Sequence, residues 1–194
     1  MAAIGLGLSL TIVGCGGSTP RATGSLASVE RAIQFGDLEQ ASYRLSAVEG
    51  EPKLSESERD RAALLRAELA IATGKAEDAL AAVAPVIEDE TLGAAALELR
   101  GKALVRLGDF REAGYAFEAA EASYRERVDR SRAADLRLLA SGLDAYAGGD
   151  FVLARRYWAD IQSQRLRDSV TRLSGGGTIS QASYTSNAME GARR

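Results

Sequence analysis

Histidine is absent from this sequence and cysteine occurs once, at Cys15. Without histidine the commonest general base, the Ser/His and Cys/His nucleophile pairs and histidine metal sites are excluded. One cysteine forms no internal disulfide and no cysteine-based zinc cluster. Glu88-Asp89-Glu90 sets three carboxylates side by side, either a divalent-cation site or, more simply, a solvated turn. Arg125, Arg127, Arg130, Arg132 and Arg137 form a basic stretch, interleaved with Glu121, Glu126, Asp129 and Asp135. Glu121-Arg125 and Glu126-Arg130 have the helical ion-pair spacing of a solvated face; contact with anionic lipid or cell-wall polymer is the other use of such arginines. No Walker loop, Rossmann fingerprint, nucleophile elbow or HExxH occurs. Nothing here reads as a catalytic residue, a metal ligand or a cofactor site, and no small-molecule substrate is expected.

What chemistry Cys15 has comes from its context. Residues 2–14 are an apolar run, too short to cross a bilayer of ~30 Å as a helix yet suited to the hydrophobic part of a secretory signal. The run ends in Ile12-Val13-Gly14-Cys15, which resembles the lipobox of bacterial lipoproteins. That resemblance implies diacylglycerol on the Cys15 thiol, cleavage before it and acylation of the new amino terminus. Two or three chains at ~0.8 kcal/mol per buried CH₂ give a stable anchor. Gly16 rather than aspartate after the cysteine implies, in that family's sorting logic, the outer membrane. No Lys or Arg precedes the apolar run, a departure that a true start upstream would explain. Residues 16–24 are small, polar and turn-rich, as a tether would be.

To position anything beyond the tether the chain needs close-packed helices. It has 194 residues, 46% of them apolar and only 6% aromatic, with three prolines, a balance that favours helices over a sheet. A formal charge of −3 gives no pull toward nucleic acid, so that partner is not expected.

Between 97 and 120 a helix-period run (Leu97, Gly101, Leu104) reaches Gly108-Asp109, and a second (Phe110, Ala113, Phe117, Ala120) starts at once. This spacing predicts a helical hairpin, with Gly108 left-handed at the end of the first helix and Asp109 capping the second in a capping box with Glu112. The corner recurs at Gly36-Asp37, Gly74-Lys75 and Gly149-Asp150. Gly74 and Gly108 are 34 residues apart, the period of a tetratricopeptide (TPR) repeat. With small Gly101 and Ala113 at the crossing, and Phe110, Phe117 and Ala120 after the corner, the chain resembles the TPR family. The resemblance implies an all-α, TPR-like solenoid of about four hairpins.

Val29 stands where that family prefers a small residue, so the first hairpin matches weakly. Ser55 and Glu58 predict a capping box opening the second outgoing helix, and Pro85 an early end to its return helix. Gly108 and Gly149 are 41 residues apart, so one helix of that unit should be about two turns longer, with Ser131 able to cap the later one. Gly142 and Ala154 repeat the small pair in the fourth hairpin, and Trp158 takes an apolar packing position. The chain thus divides into a signal (1–14), a lipidated tether (15–24), a TPR-like domain (25–173) and a tail (174–194) too poor in apolar residues to repay ordering.

In TPR stacks the first helix of each pair lines the inner curve. Carried onto this chain, that face includes Glu30, Gln34, Glu68, Glu98, Lys102, Arg106, Leu139, Leu143 and Tyr146. Leu139, Leu143 and Tyr146 either form an exposed partner patch or pack beneath the final helix. The family's Lys/Asn carboxylate clamp has no counterpart here. The resulting expectation is a non-enzymatic, lipid-anchored periplasmic adaptor, with Cys15 lipidated, that binds another envelope protein in assembling a pilus, secretion or outer-membrane machine. The alternatives are an accessory factor that binds cell-wall glycan or an envelope enzyme through the arginine-rich face, and a cytosolic scaffold if the first fifteen residues are no signal.

Overall fold

The computed structural model describes residues 20–175. Helices α1 (Pro20–Gln34), α2 (Leu38–Glu49), α3 (Glu56–Ala72), α4 (Ala76–Val83), α5 (Gly93–Leu107), α6 (Phe110–Ser123), α7 (Arg127–Ala147), α8 (Phe151–Ala159) and α9 (Gln164–Gly175) follow one another, with a 3-10 turn at Ala84–Val86. This is an all-α, TPR-like solenoid: α1/α2, α3/α4, α5/α6 and α7/α8 are antiparallel hairpins, each packed on the next. Among the described residues no helix is long and apolar enough to cross a membrane. The signal, Cys15 and nearly all of the expected tail lie outside the described residues.

All four corners form at the expected glycines, whose φ is +76° at Gly36, +79° at Gly74, +88° at Gly108 and +84° at Gly149. An L side chain is strained in that conformation. At each corner the residue after the glycine donates its N–H five residues back, as Asp37 does to Ala32 (2.9 Å) and Asp150 to Ala145 (2.9 Å). That bond satisfies a carbonyl the ending helix would leave open. The same residue's carbonyl accepts the first bond of the return helix from Ala41, Ala79, Ala113 or Ala154, and all four alanines are fully buried. One two-residue corner therefore ends a helix, starts another and sets their register.

The crossing sits seven residues before each corner glycine and faces a residue nine after it. An ideal Cβ on Gly101 would stand 2.6 Å from the Phe117 ring, and one on Gly142 would strike the Trp158 indole nitrogen. The ring edge occupies the space a Cβ would need. In the first two hairpins the same positions hold Val29 with Leu45 and Ala67 with Val83, all buried. Apolar burial forms a small cluster over α1, α2 and the first half of α3, and a larger one from Ala67 through Val170.

The capping box at Ser55 and Glu58 forms, and the Ser55 backbone N–H and hydroxyl hold the Glu58 carboxyl below its usual range. Pro85 falls in the 3-10 turn that follows an α4 of only eight residues. Asp37 and Asp150 accept a backbone N–H, from Gln40 and Leu153. Asp109 does not: its side chain makes no cap bond, and the corner stands on the backbone bonds of Gly108 and Asp109 alone.

Three boundaries differ from expectation. Helix α1 starts at Pro20, inside the expected tether, where proline's fixed φ suits a helix's first turn. The extra length of the third unit falls in α7, which starts at Arg127, so Ser131 lies inside the helix and caps nothing. The final helix is two, because the chain breaks at 160–163 and restarts as α9.

Gly142→Ala should cost ~1–3 kcal/mol by overpacking the Trp158 crossing. Gly36→Ala, strained in φ but touching nothing within 4 Å, should cost about 1 kcal/mol. Thermal unfolding of the two variants checks the order, Gly142→Ala melting several degrees below Gly36→Ala.

Candidate interaction surface

Residues on the outgoing helices α1, α3, α5 and α7 decide what the inner curve offers. Glu68 is exposed, and Lys102 and Arg106 are half-buried. Glu98 is not on the surface at all: it is 4% exposed, at the joint between the third and fourth hairpins.

Three groups surround the Glu98 carboxylate. Lys102 Nζ lies 2.7 Å away from the next turn of α5. Arg132 of α7 donates from Nε and Nη2, at 3.1 and 2.9 Å to Oε2, and the Tyr124 hydroxyl donates at 2.8 Å. Arg132 also pairs with Asp129 (2.7 Å) and lies over the Tyr124 ring, 5.6 Å from its centroid. Burial alone would raise the Glu98 pKa, but the Lys102 ammonium and the Arg132 guanidinium outweigh it and bring it down to about 2. Burial and the neighbouring Glu98 carboxylate raise the Tyr124 phenol. Burial works against the Arg132 charge, yet its bonds to Glu98 leave its pKa raised. Glu98 and Arg132 thus stay charged through neutrality, and their bonds make the cluster a strut between the third and fourth hairpins.

Other joints use the same device with more exposed partners. Arg61 of α3 reaches back to Glu30 of α1 (2.7 Å) and Arg66 of α3 to Glu49 of α2 (2.5 Å). Arg137 of α7 pairs with Glu121 of α6 (3.1 Å). The expected Glu121-Arg125 pair is pre-empted because α6 ends at Ser123, which interrupts the spacing.

Leu139, Leu143 and Tyr146 do not form an exposed patch. Leu139 is fully buried and Leu143 2% exposed, in one cluster with Ile161, Leu166 and Val170. Helix α9 packs on α7 and α8 and supplies Leu166 and Val170. Tyr146 is half-buried, edge-on to Phe151 (4.8 Å) and stacked on Trp158 (5.8 Å). The Trp158 indole N–H donates to the Leu139 carbonyl at 3.4 Å, which fits a packing role.

Asp135 holds α9 in place. It is 6% exposed in the middle of α7, and its two carboxylate oxygens accept the backbone N–H groups of Gln162 and Ser163, both at 2.8 Å. It thus satisfies donors at the start of a helix not its own. Of the three carboxylates at 88–90, Asp89 settles into local structure: its Oδ1 accepts from the N–H of Thr91 and Leu92, shaping the approach to α5. The sequence places Arg132 and Asp135 in a solvated charged face, whereas the structure makes both of them joints between elements. Arg132 had a signal, since it stands 34 residues, one repeat, after Glu98. Asp135 had none, because its partners are backbone groups.

Glu98 carries its charge more easily folded than unfolded, so its contribution is complete above the unfolded value of 4.5 and is lost as pH falls toward about 2. Glu98→Gln should cost on the order of 2–3 kcal/mol at pH 7. Denaturant unfolding of both proteins at pH 7, 4 and 2.5 should show the gap closing with acid. Asp135→Ala should loosen α9 selectively, seen as faster hydrogen exchange at 164–172 with little change in α1 to α4.

A family model described as a tetratricopeptide repeat-like domain matches residues 15–143. Neither curated proteins nor solved structures give a match. Four glycine-cornered hairpins stacked in order, with more than half the length matched, place this chain in the tetratricopeptide repeat-like family, whose helical stacks are scaffolds for protein interaction.

Proposed function

We propose that this chain is a lipid-anchored adaptor of the bacterial envelope, which holds a segment of another envelope protein against its inner curve and positions it for assembly of a larger complex. The observation that supports the reading is the order of charged side chains along those helices: exposed Glu68 on α3 and, one repeat further on, half-buried Arg106 on α5 beside Lys102, whose ammonium is paired with Glu98. Such a row favours an extended segment with basic side chains opposite α3 and acidic ones opposite α5. The lipobox at Cys15 supports the anchor, with the outer membrane as its site and the periplasm as the space faced. No step of this role needs covalent chemistry on the partner.

Two measurements test it. Metabolic labelling with a palmitate analogue should mark the wild type and not Cys15→Ser; an unlabelled wild type removes the anchor. A photocrosslinking residue at 68 or 106 should capture one common envelope protein, whereas the same probe on the return helices, at 43 or 118, should not. Glu68→Lys should weaken that capture by about tenfold. Capture from the return helices alone would overturn the inner-curve reading.

A further inference from the structure

At the start of α7 three exposed arginines are left over by the ion-pair struts. Arg132 and Arg137 are taken up by Glu98, Asp129 and Glu121. Arg125, Arg127 and Arg130 remain exposed around Val128, which is itself 78% exposed. An apolar side chain set among arginines suits the boundary between headgroups and acyl chains, where the guanidinium groups meet phosphate and the branched side chain leaves water.

Where this surface lies follows from the fold. Helix α1 starts at Pro20, so four residues separate it from Cys15, and five peptide steps reach ~17 Å at most. A chain acylated at Cys15 therefore keeps the start of α1 close to the bilayer. Because α2, α4 and α6 each reverse the chain, α1, α3, α5 and α7 run the same way, and α7 begins on the edge where α1 begins. Glu88, Glu90 and Glu126 share that edge, so the patch supplements the acyl chains and does not replace them.

We propose that Arg125, Arg127, Arg130 and Val128 contact anionic phospholipid headgroups, turning the anchored stack so that this edge faces the bilayer and the inner curve stays open to the aqueous space. The proposal rests on the anchor reading for its geometry, and its test separates the two. The full chain with Cys15→Ser, which has no acyl site, is co-sedimented at low salt with vesicles of phosphatidylcholine alone or mixed with phosphatidylglycerol. It should prefer the anionic vesicles. At about fivefold per arginine near such a surface, the added triple variant Arg125→Gln/Arg127→Gln/Arg130→Gln should bind at least about tenfold more weakly, with its helical circular dichroism unchanged. Val128→Ser should bind more weakly too. No preference for anionic vesicles, or a preference the triple variant keeps, overturns the proposal, as does arginine-dependent binding to a soluble polyanion without binding to vesicles. Palmitate labelling of the wild type with no arginine-dependent binding leaves the anchor and removes the patch. Arginine-dependent binding with no label leaves the contact and removes the orientation.

Discussion

An aromatic ring lying where a Cβ would otherwise be is the contact on which the two carboxy-terminal hairpins depend. Gly101 against Phe117 and Gly142 against Trp158 let paired helices approach until one helix's backbone meets the other's side chain. Dispersion is lost steeply with distance, so a ring seated on a backbone gains more than the same ring held off by a methyl group. The corner glycines make that seating repeatable. Each fixes the register so that residues sixteen apart in sequence face each other, and each places a buried alanine at the first turn of the return helix. Corner and crossing act as one constraint, since moving the corner by a residue would turn the ring away from the glycine.

Between hairpins the rules change. The joints before α3 and α7 each carry two arginines five residues apart that straddle the preceding hairpin, one reaching its outgoing helix and one its return helix. Before α5 the backbone of Gly93 closes on the Ile87 carbonyl, and an added Cβ would collide with it. The charged joints contribute unequally. Arg61 and Glu30 are each about two-fifths exposed, and such pairs are worth ~0–1 kcal/mol. Glu98 is buried, and the same Coulomb attraction there offsets a desolvation cost of several kcal/mol. That joint specifies which surfaces meet more than it adds net stability.

The corners, the crossings and the Ser55 capping box were legible in the sequence because each is a local pattern with one physical solution. A glycine followed by a helix start ends a helix, and a small residue seven before it marks the crossing; the expected partner was a second small residue, Ala113 or Ala154, whereas the ring of Phe117 or Trp158 lies against the glycine. The inner face was read less well. Leu139 and Leu143 sit at positions that face a ligand elsewhere in the family, yet here they are buried in the larger core cluster, to which α9 also contributes. The break at 160–163 has neither glycine nor proline to announce it; Asp135, far back in the chain, satisfies its backbone. Glu98 misled for the opposite reason. A glutamate four residues before a lysine reads as an exposed helical pair, and its burial depends on Arg132 and Tyr124 arriving from the next repeat.

Covering α7 bears on what the proposed adaptor can hold. With Leu139 and Leu143 buried and Glu98 occupied by Arg132, the proposed docking face is left to α1, α3 and α5. Neighbouring helices lie ~8–10 Å apart, so three of them span roughly 20–30 Å. An extended segment rises about 3.3 Å per residue, which sets the docked length near six to nine residues and rules out the long grip a larger stack would give. A segment that short gains little from area, so its affinity rests on charge placement and on being held near its partner. The proposed anchor would supply that second factor, because two proteins confined to one membrane meet at a high effective concentration. On the proposed reading, a short groove and a short tether are parts of one design, in which a weak, charge-selected contact suffices because the bilayer would keep both partners at hand.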